Sequence, residues 1–364
     1  MKKLKIAFFG LWPAFNHEHI GGTNSIIRRL SVCLKARGDD IAFVYYGCQT
    51  NKNEMGENGI KIIYCKNVSD SLKVLSNGFD HVLSIYLLPK DRLSYVFFRK
   101  INSHKIHFHH LYLSWNESHL KRQLMFAEAR LFPYNGTLFC ISPRIQRYVS
   151  VWAHSAKLLL PPVPASYFLT PTQKSNSDKI RVTYCGRVDA GKGILEVVDL
   201  FKVLENNNIK TRIYGFPWGH KPETMALHNR LLTDLADSYE PIEYEHWNPQ
   251  VDEKLNKILQ ETDILLLPYR KLSSTVDTPL LLLEGMANLC AIISPNLGDI
   301  HHLYGTSIFN LADKWRPDIV LKLIENAAKY LPEERERLYK QNNTKNYVDN
   351  NIGNIFRTTI MGTY

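Results

Sequence analysis

No apolar run in this sequence approaches the roughly 18 residues needed to cross a bilayer, which excludes a membrane-spanning helix. The N-terminal MKKLKIAFFGLWP has a basic start, but its apolar run is too short for a secretory leader and no small-residue cleavage site follows. It reads instead as a first strand. Cysteine is sparse: the six residues 33, 48, 65, 140, 185 and 290 are scattered, with no C-x-x-C. That excludes a disulfide frame and a zinc site, and fits reduced thiols in a cytoplasmic protein. There is no short-period repeat, no low-complexity tract and no recognised nucleic-acid module. No G-x-G-x-x-G follows a strand, since Gly191-Lys192-Gly193 runs on into Ile-Leu-Glu; this argues against a nicotinamide-dependent dehydrogenase.

What is present is an ordinary globular composition, 45% hydrophobic and 22% charged over 364 residues, a length that suits two domains. The charge is uneven. Residues 1–170 hold 22 Lys and Arg against 10 Asp and Glu, a net of +12, while residues 171–364 hold 23 against 25. The basic first half reads either as a solvated lysine-rich face or as a face for an anionic partner, such as a membrane leaflet or a phosphorylated acceptor.

Strand and helix patterns alternate throughout. Strands are predicted at 4–10, 41–46, 60–65, 81–86, 105–109 and 138–141, with helices at 21–37, 69–76, 91–101, 118–130 and 143–152. A Pro/Ser/Thr-rich stretch at 161–179 reads as a linker. Strands at 180–185, 210–215, 242–246, 263–268 and 290–294 follow, with helices at 193–204, 222–236, 251–260 and 279–287. The expected fold class is α/β, with two tandem Rossmann-like doubly wound domains facing across a cleft. Predicted boundaries are 1–165 and 166–345, with a helix at 346–364 expected to pack back on the first domain.

Four loops at strand ends carry chemistry. Gly21-Gly22 precedes a helix, where backbone N–H groups can approach an anion, although two glycines alone also make a simple turn. KIHFHH, residues 105–110, puts His107 and His109 on one face of a strand. There a histidine either packs in the core or, at the strand end, orients a sugar hydroxyl or carries a proton. Gly186-Arg187 through Lys192-Gly193 nearly spells a P-loop, but Gly193 replaces the magnesium-binding hydroxyl, which argues against a nucleotide hydrolase. Two fixed cations over a helix N-terminus suit a departing diphosphate without a metal. Gly215-Phe216 and Trp218 offer either a base platform or core packing. Further on, Thr262–Pro295 reads as strand, polar loop, helix and strand. Thr278 is the expected N-cap and Glu284 lies one turn into the helix, placed for a ribose diol.

In order, Gly21-Gly22, His107-Phe108-His109, Gly186-Arg187 with Lys192-Gly193, and Leu282-Leu283-Glu284-Gly285-Met286-Ala287 resemble the motifs of the family-4 glycosyltransferases of GT-B fold. Lys157–Pro171 also resembles that family's interdomain segment. The resemblance covers nearly the whole chain. It implies a metal-independent, retaining hexosyltransferase with a nucleotide-diphosphate sugar as co-substrate and no other cofactor. The acceptor would be a glycan or lipid-linked molecule in bacterial-type surface polysaccharide, lipopolysaccharide or glycoconjugate synthesis. The first domain would hold the acceptor and the second the donor. By position, Glu284 would bind the ribose. Arg187, Lys192 and the backbone of Thr278, Pro279 and Leu280 would hold the diphosphate, with Gly21 and Gly22 facing it. Gly215, Phe216 and Asn248 would read the base, and His109 would contact the transferred sugar. The family pattern E-x7-E has Val276 in place of its first acid; either Asp277, one position later, takes that role on a shifted loop, or the role is absent. The absence of D-x-D is in keeping with metal independence. The expected location is cytoplasmic, peripheral on the inner face of the membrane through the basic first half, with no nucleic-acid partner. The rival reading is a non-catalytic nucleotide-sugar or glycan-binding protein of the same fold.

Overall fold

The computed structural model describes the chain apart from residues 1–2, 13, 86, 115–118, 154, 175–176, 205–207, 218–221, 245, 273–274, 313, 345–346 and 363–364, and describes no side chains at 57, 119–122, 125 and 344. The chain divides into two compact units, Met1–Pro162 with Tyr347–Tyr364, and Val163–Asn346.

Unit 1 runs β1 (Lys5–Leu11), α1 (Gly22–Ala36), β2 (Asp40–Tyr46), β3 (Lys52–Met55), β4 (Lys61–Cys65), α2 (Val68–Leu75), β5 (His81–Ser84), α3 (Pro89–Asn102), β6 (His107–Tyr112), α4 (His119–Leu131), β7 (Leu138–Cys140), α5 (Pro143–Ser150) and β8 (Ala156–Leu158). Among the described residues these strands form one sheet in the order β3-β4-β2-β1-β5-β6-β7-β8. It is parallel except for the β3–β4 pair. The central strands read as near-continuous apolar runs (IAFF in β1, IAFVYY in β2) because both faces of a parallel sheet are covered. Helix ends follow local chemistry. Asn67 accepts the Asp70 N–H at the start of α2, Ser142 accepts the Ile145 N–H at the start of α5, and Gly38 (φ +88°) stands just past α1.

Unit 2 runs β9 (Ile180–Arg187), α6 (Ile194–Val203), β10 (Ile209–Phe216), α7 (Pro222–Asp234), β11 (Tyr239–Pro241), α8 (Pro249–Gln260), β12 (Ile264–Leu266), α9 (Leu280–Ala287), β13 (Ala291–Ile293), α10 (Ile300–Tyr304), α11 (Pro317–Glu325) and α12 (Ala327–Thr344). Its parallel sheet has the order β11-β10-β9-β12-β13. The strand order reverses between β9 and β12, and such a switch point opens a crevice at the strands' carboxyl ends. The core on one face joins Val182, Tyr184, Ile264 and Leu266 to Val197, Val198 and Phe201 of α6 and Val320 and Ile324 of α11.

The last helix, α13 (Asp349–Met361), belongs to unit 1 and packs on α1. Gly353 leaves room for Cys33, the Phe356 ring lies 4.7 Å from that of Phe139, and the Arg357 guanidinium clasps Asp39 at 2.9 and 3.2 Å. Asp39 also accepts the Leu4 N–H. Removing one partner of a buried pair of this kind costs about 3–5 kcal/mol.

Several elements differ from the sequence expectation. The β3 edge strand, KNEM, is polar and exposed, so it lacks the apolar run that marks a strand, and its charges suit an edge. The expected strand at 242–246 is replaced by β11, three residues earlier. The Gly215 carbonyl takes the Ile242 N–H and pairing with β10 ends there. Most consequential, β6 runs on to Tyr112 instead of ending at His109.

Candidate active site

Arg187, Lys192, Asp277, Thr278 and Glu284 lie in unit 2, at or after the ends of β9 and β12. The loop after β9 is folded by its own residues. Tyr184 donates its hydroxyl to the Arg187 carbonyl at 3.0 Å, and Asp189 accepts the Gly191 N–H at 2.7 Å. Gly193 (φ +79°) then turns the chain into α6. A Cβ there would stand 1.9 Å from the Pro268 carbonyl oxygen, so only glycine lets this loop seat against the end of β12.

That seating carries Lys192 inward. Its ammonium sits 4.6 Å above the Tyr269 ring. Burial, with the Arg187 guanidinium adding to it, brings the ammonium pKa down to about 7. The Arg187 guanidinium is thus near enough to act on the Lys192 ammonium, a setting that favours the arrival of negative charge. Burial raises the Tyr269 phenol, Thr275 hydrogen-bonds it, and the charges of both Arg187 and Glu284 act on it.

From the other side comes α9. Gly285 brings it close to the sheet, since a Cβ there would meet Leu265 at 2.7 Å and Ile292 at 3.0 Å. Glu284 is buried (2% exposed). Its carboxylate adds to the effect of burial in raising the Cys185 thiol, and so lies near the end of β9. Asp277 and Thr278 are buried just before the helix, and the Asp277 carbonyl accepts the Asp299 N–H at 3.4 Å. The N-cap position is held by Pro279, not Thr278. Pro279 has no N–H, so of the three backbone groups predicted here only those of Thr278 and Leu280 can donate.

Unit 1 arranges its predicted residues otherwise. Gly21 is the extended N-cap of α1 (φ 171°) and Gly22 its first residue. The preceding loop is tied to the helix by Arg28, which donates to the carbonyls of His17 (2.8 Å) and His19 (3.3 Å). His109 is corrected by the length of β6: it lies mid-strand and is wholly buried. Its Nδ1 accepts the Thr137 N–H at 2.8 Å and its Nε2 pairs with His81 Nδ1 at 3.1 Å. Both ring nitrogens are therefore taken by protein, which fits packing and not contact with a sugar. His110, on the other face, bonds Ser84 at 2.9 Å, and burial brings its pKa down to about 3.

No protein-family model matches the sequence, and no curated protein matches it by sequence. Solved structures match over the full length. They include a glycosyltransferase from Rickettsia africae (12% identity, TM-score 0.72, covering 100% of this chain and 99% of that one). Anabaena HepE in complex with UDP and glucose matches at 10% identity and TM-score 0.71, covering 98% and 99%. Sucrose-phosphate synthase from Thermosynechococcus elongatus matches at 15% identity and TM-score 0.69, covering 99% and 100%. The fold is that of the GT-B glycosyltransferases.

Within this GT-B chain the three residues predicted to read a base have separate situations. Gly215 is glycine because Tyr239 and Val188 fill the space a Cβ would take, at 2.7 and 2.8 Å. Phe216 ends β10 and is half-buried. Asn248 spends its side-chain oxygen on the Val251 N–H as the N-cap of α8. Trp218 and the loop residues Ser273 and Ser274 lie outside the described residues. Sequence reasoning missed Tyr269 and Asp189. Tyr269 directly follows a strand-ending proline, and Asp189 stands two residues before a glycine, an Asx-turn spacing that could have marked it. It also missed His17. That ring stacks on Phe43 at 5.5 Å and meets the Tyr45 hydroxyl, and burial, with Arg28, brings its pKa down to about 4.

Proposed function

We propose that this protein is a glycosyltransferase that moves a hexose from a nucleotide-diphosphate sugar to a glycan or lipid-linked acceptor, with retention and without a metal. The observation that carries the reading is the Arg187–Lys192 pair at the switch point of unit 2. Breaking the bond between the sugar's anomeric carbon and the phosphate oxygen leaves negative charge on a diphosphate. A guanidinium and an ammonium fixed beside a helix N-terminus stabilise that charge as it develops. Burial leaves the Lys192 ammonium poorly compensated by solvent, the setting in which a bound diphosphate is worth most. Glu284 is assigned to the ribose hydroxyls and Asp277 to the transferred sugar, in place of the acid absent at Val276. The half-buried Phe216 is assigned to the base. Support comes also from the fold: HepE, similar over its whole length, is described with UDP and glucose and with UDP-glucose. The acceptor side is assigned to unit 1, with its net charge of +12 over residues 1–170. Synthesis of surface polysaccharide, lipopolysaccharide or another glycoconjugate at the inner face of a membrane suits that charge. Among the described residues no helix is long and apolar enough to cross one.

The test is a donor screen. The chain is incubated with UDP-, GDP-, ADP- and CMP-linked sugars and extracted acceptors, and release of free nucleotide is followed. The reading expects release with at least one nucleotide-diphosphate sugar, abolished in Arg187→Ala. Tight donor binding with no transfer to any acceptor would favour a binding protein instead.

A further inference from the structure

Among the described residues, α3 and α4 hold six exposed large apolar side chains. Leu93 (61% exposed), Phe97 (50%) and Ile101 (69%) stand at i, i+4 and i+8 on α3, and Leu124 (62%), Phe126 (38%) and Leu131 (70%) stand on α4. A helix of unit 1 needs only one apolar stripe to cover its sheet. α3 already has that stripe: Tyr95 and Val96 are buried, and the Tyr95 ring packs on Phe9 and Phe108. The row Leu93–Phe97–Ile101 is a second one, turned outward. Phe97 meets the edge of Phe132 at 5.9 Å, and this joins the α3 row to the end of α4.

Beneath that face the two helices are locked together. Glu128 of α4 pairs with Arg92 and Arg99 of α3, and Arg99 donates to the Phe132 carbonyl at 3.0 Å while covering the Tyr134 ring at 3.5 Å. The exposed apolar rows therefore sit on a fixed platform. The charge around them has one sign. Between residues 88 and 134, the exposed charged side chains that are described are Lys90, Lys100, Lys105 and Arg130. The acids described there are half-buried Asp91 and the ion-paired Glu128.

We propose that the outer face of the α3–α4 pair docks on an anionic lipid surface, the apolar rows entering the interface and the lysines meeting the head groups. Amphipathic helices bind membranes by this combination, and each basic residue near an anionic surface contributes roughly a fivefold factor in affinity. A second copy of this chain fits less well, because a self-complementary contact would set these cations against one another. The proposal rests on the reading above in placing the acceptor side on unit 1. Lipid binding, however, is measured with no sugar donor present.

The experiment is flotation of the full chain with vesicles of phosphatidylcholine alone and of phosphatidylcholine with phosphatidylglycerol. Two variants are run beside it, Leu93→Ser with Phe97→Ser and Ile101→Ser, and Lys90→Glu with Lys100→Glu. Expected is binding to the anionic vesicles only, lost as salt rises. The serine variant should bind at least tenfold more weakly, and the charge variant at least about 25-fold more weakly, since two such factors are lost and two acids are added. Both should keep parental circular dichroism and donor binding. The proposal fails if the parent does not float at low salt, or if both variants float as the parent does. It fails equally if gel filtration shows a dimer that the serine variant dissociates, which would give the face to a second copy. Donor turnover without lipid binding overturns this proposal alone. Lipid binding without turnover on any donor upholds it and counts against the transferase reading.

Discussion

The loops after β9 and β12 in unit 2 and the strand β6 in unit 1 both bring titratable side chains to a parallel sheet, with opposite results. Arg187 is the last paired residue of β9 and Lys192 lies on the turn that follows, braced by Tyr184, Asp189 and Gly193. They remain partly exposed and act on the same small region. His109 has comparable chemistry, but three more residues of β6 follow it, and its nitrogens go to Thr137 and His81. What separates a candidate site from a packed polar residue here is distance from the strand's carboxyl end. A switch-point loop leaves side chains facing a crevice, while a mid-strand position here gives them to the neighbouring strands.

The contrast is broken most sharply at Gly193. Gly193→Ala must displace the Pro268 carbonyl and adopt a left-handed backbone, so it should lower donor turnover by at least about 100-fold, the scale of losing one oriented charge at a leaving group. Turnover near parental would mean that the seating of this loop does not matter. His109→Leu should do the reverse. It strands the Thr137 N–H and His81, each costing about 1–3 kcal/mol, so thermal unfolding should begin several degrees lower. Turnover per folded molecule should stay within about twofold of the parent, against the 10²–10³ expected from losing a group that stabilises the transition state. A large loss of turnover with no loss of stability would return His109 to the site.

How far the chain could be read in advance follows the same line. Arg187, Lys192 and Glu284 were legible because strand, glycine-bearing loop and helix occur together around each. The length of β6 was not: the sequence pattern ends the strand at His109, although Leu111, Tyr112 and Leu113 continue an apolar pattern that is buried. Tyr269 was hidden because an aromatic after a buried strand looks like core, and only the incoming Lys192 gives it another use. The clasp of Arg357 on Asp39 joins residues 318 apart, a separation that local pattern does not bridge.

The smallest expected effect is on pH. Burial and Arg187 hold the Lys192 pKa at about 7 in the free protein, and a bound diphosphate favours the charged form. Binding then takes up a proton above pH 7. Affinity should be flat below that pH and fall above it, by up to about tenfold per unit, as protonation has to accompany binding. Titration with a nucleotide sugar, whose diphosphate carries no proton in this range, shows this as an apparent heat that depends on the buffer. Lys192→Met should bind more weakly and lose the pH dependence. An unchanged slope in that variant would assign the proton to another group.

The central claim is that unit 2 holds a nucleoside diphosphate between its Arg187–Lys192 loop and the α9 helix. Calorimetric titration of the full chain with UDP, GDP and ADP tests it directly, run on the parent, Arg187→Ala and Glu284→Gln at matched thermal stability. The account predicts that one nucleotide binds the parent and that each variant loses about tenfold or more of that affinity, as removal of a charged hydrogen-bonding partner does. Equal affinity in the parent and both variants would contradict it.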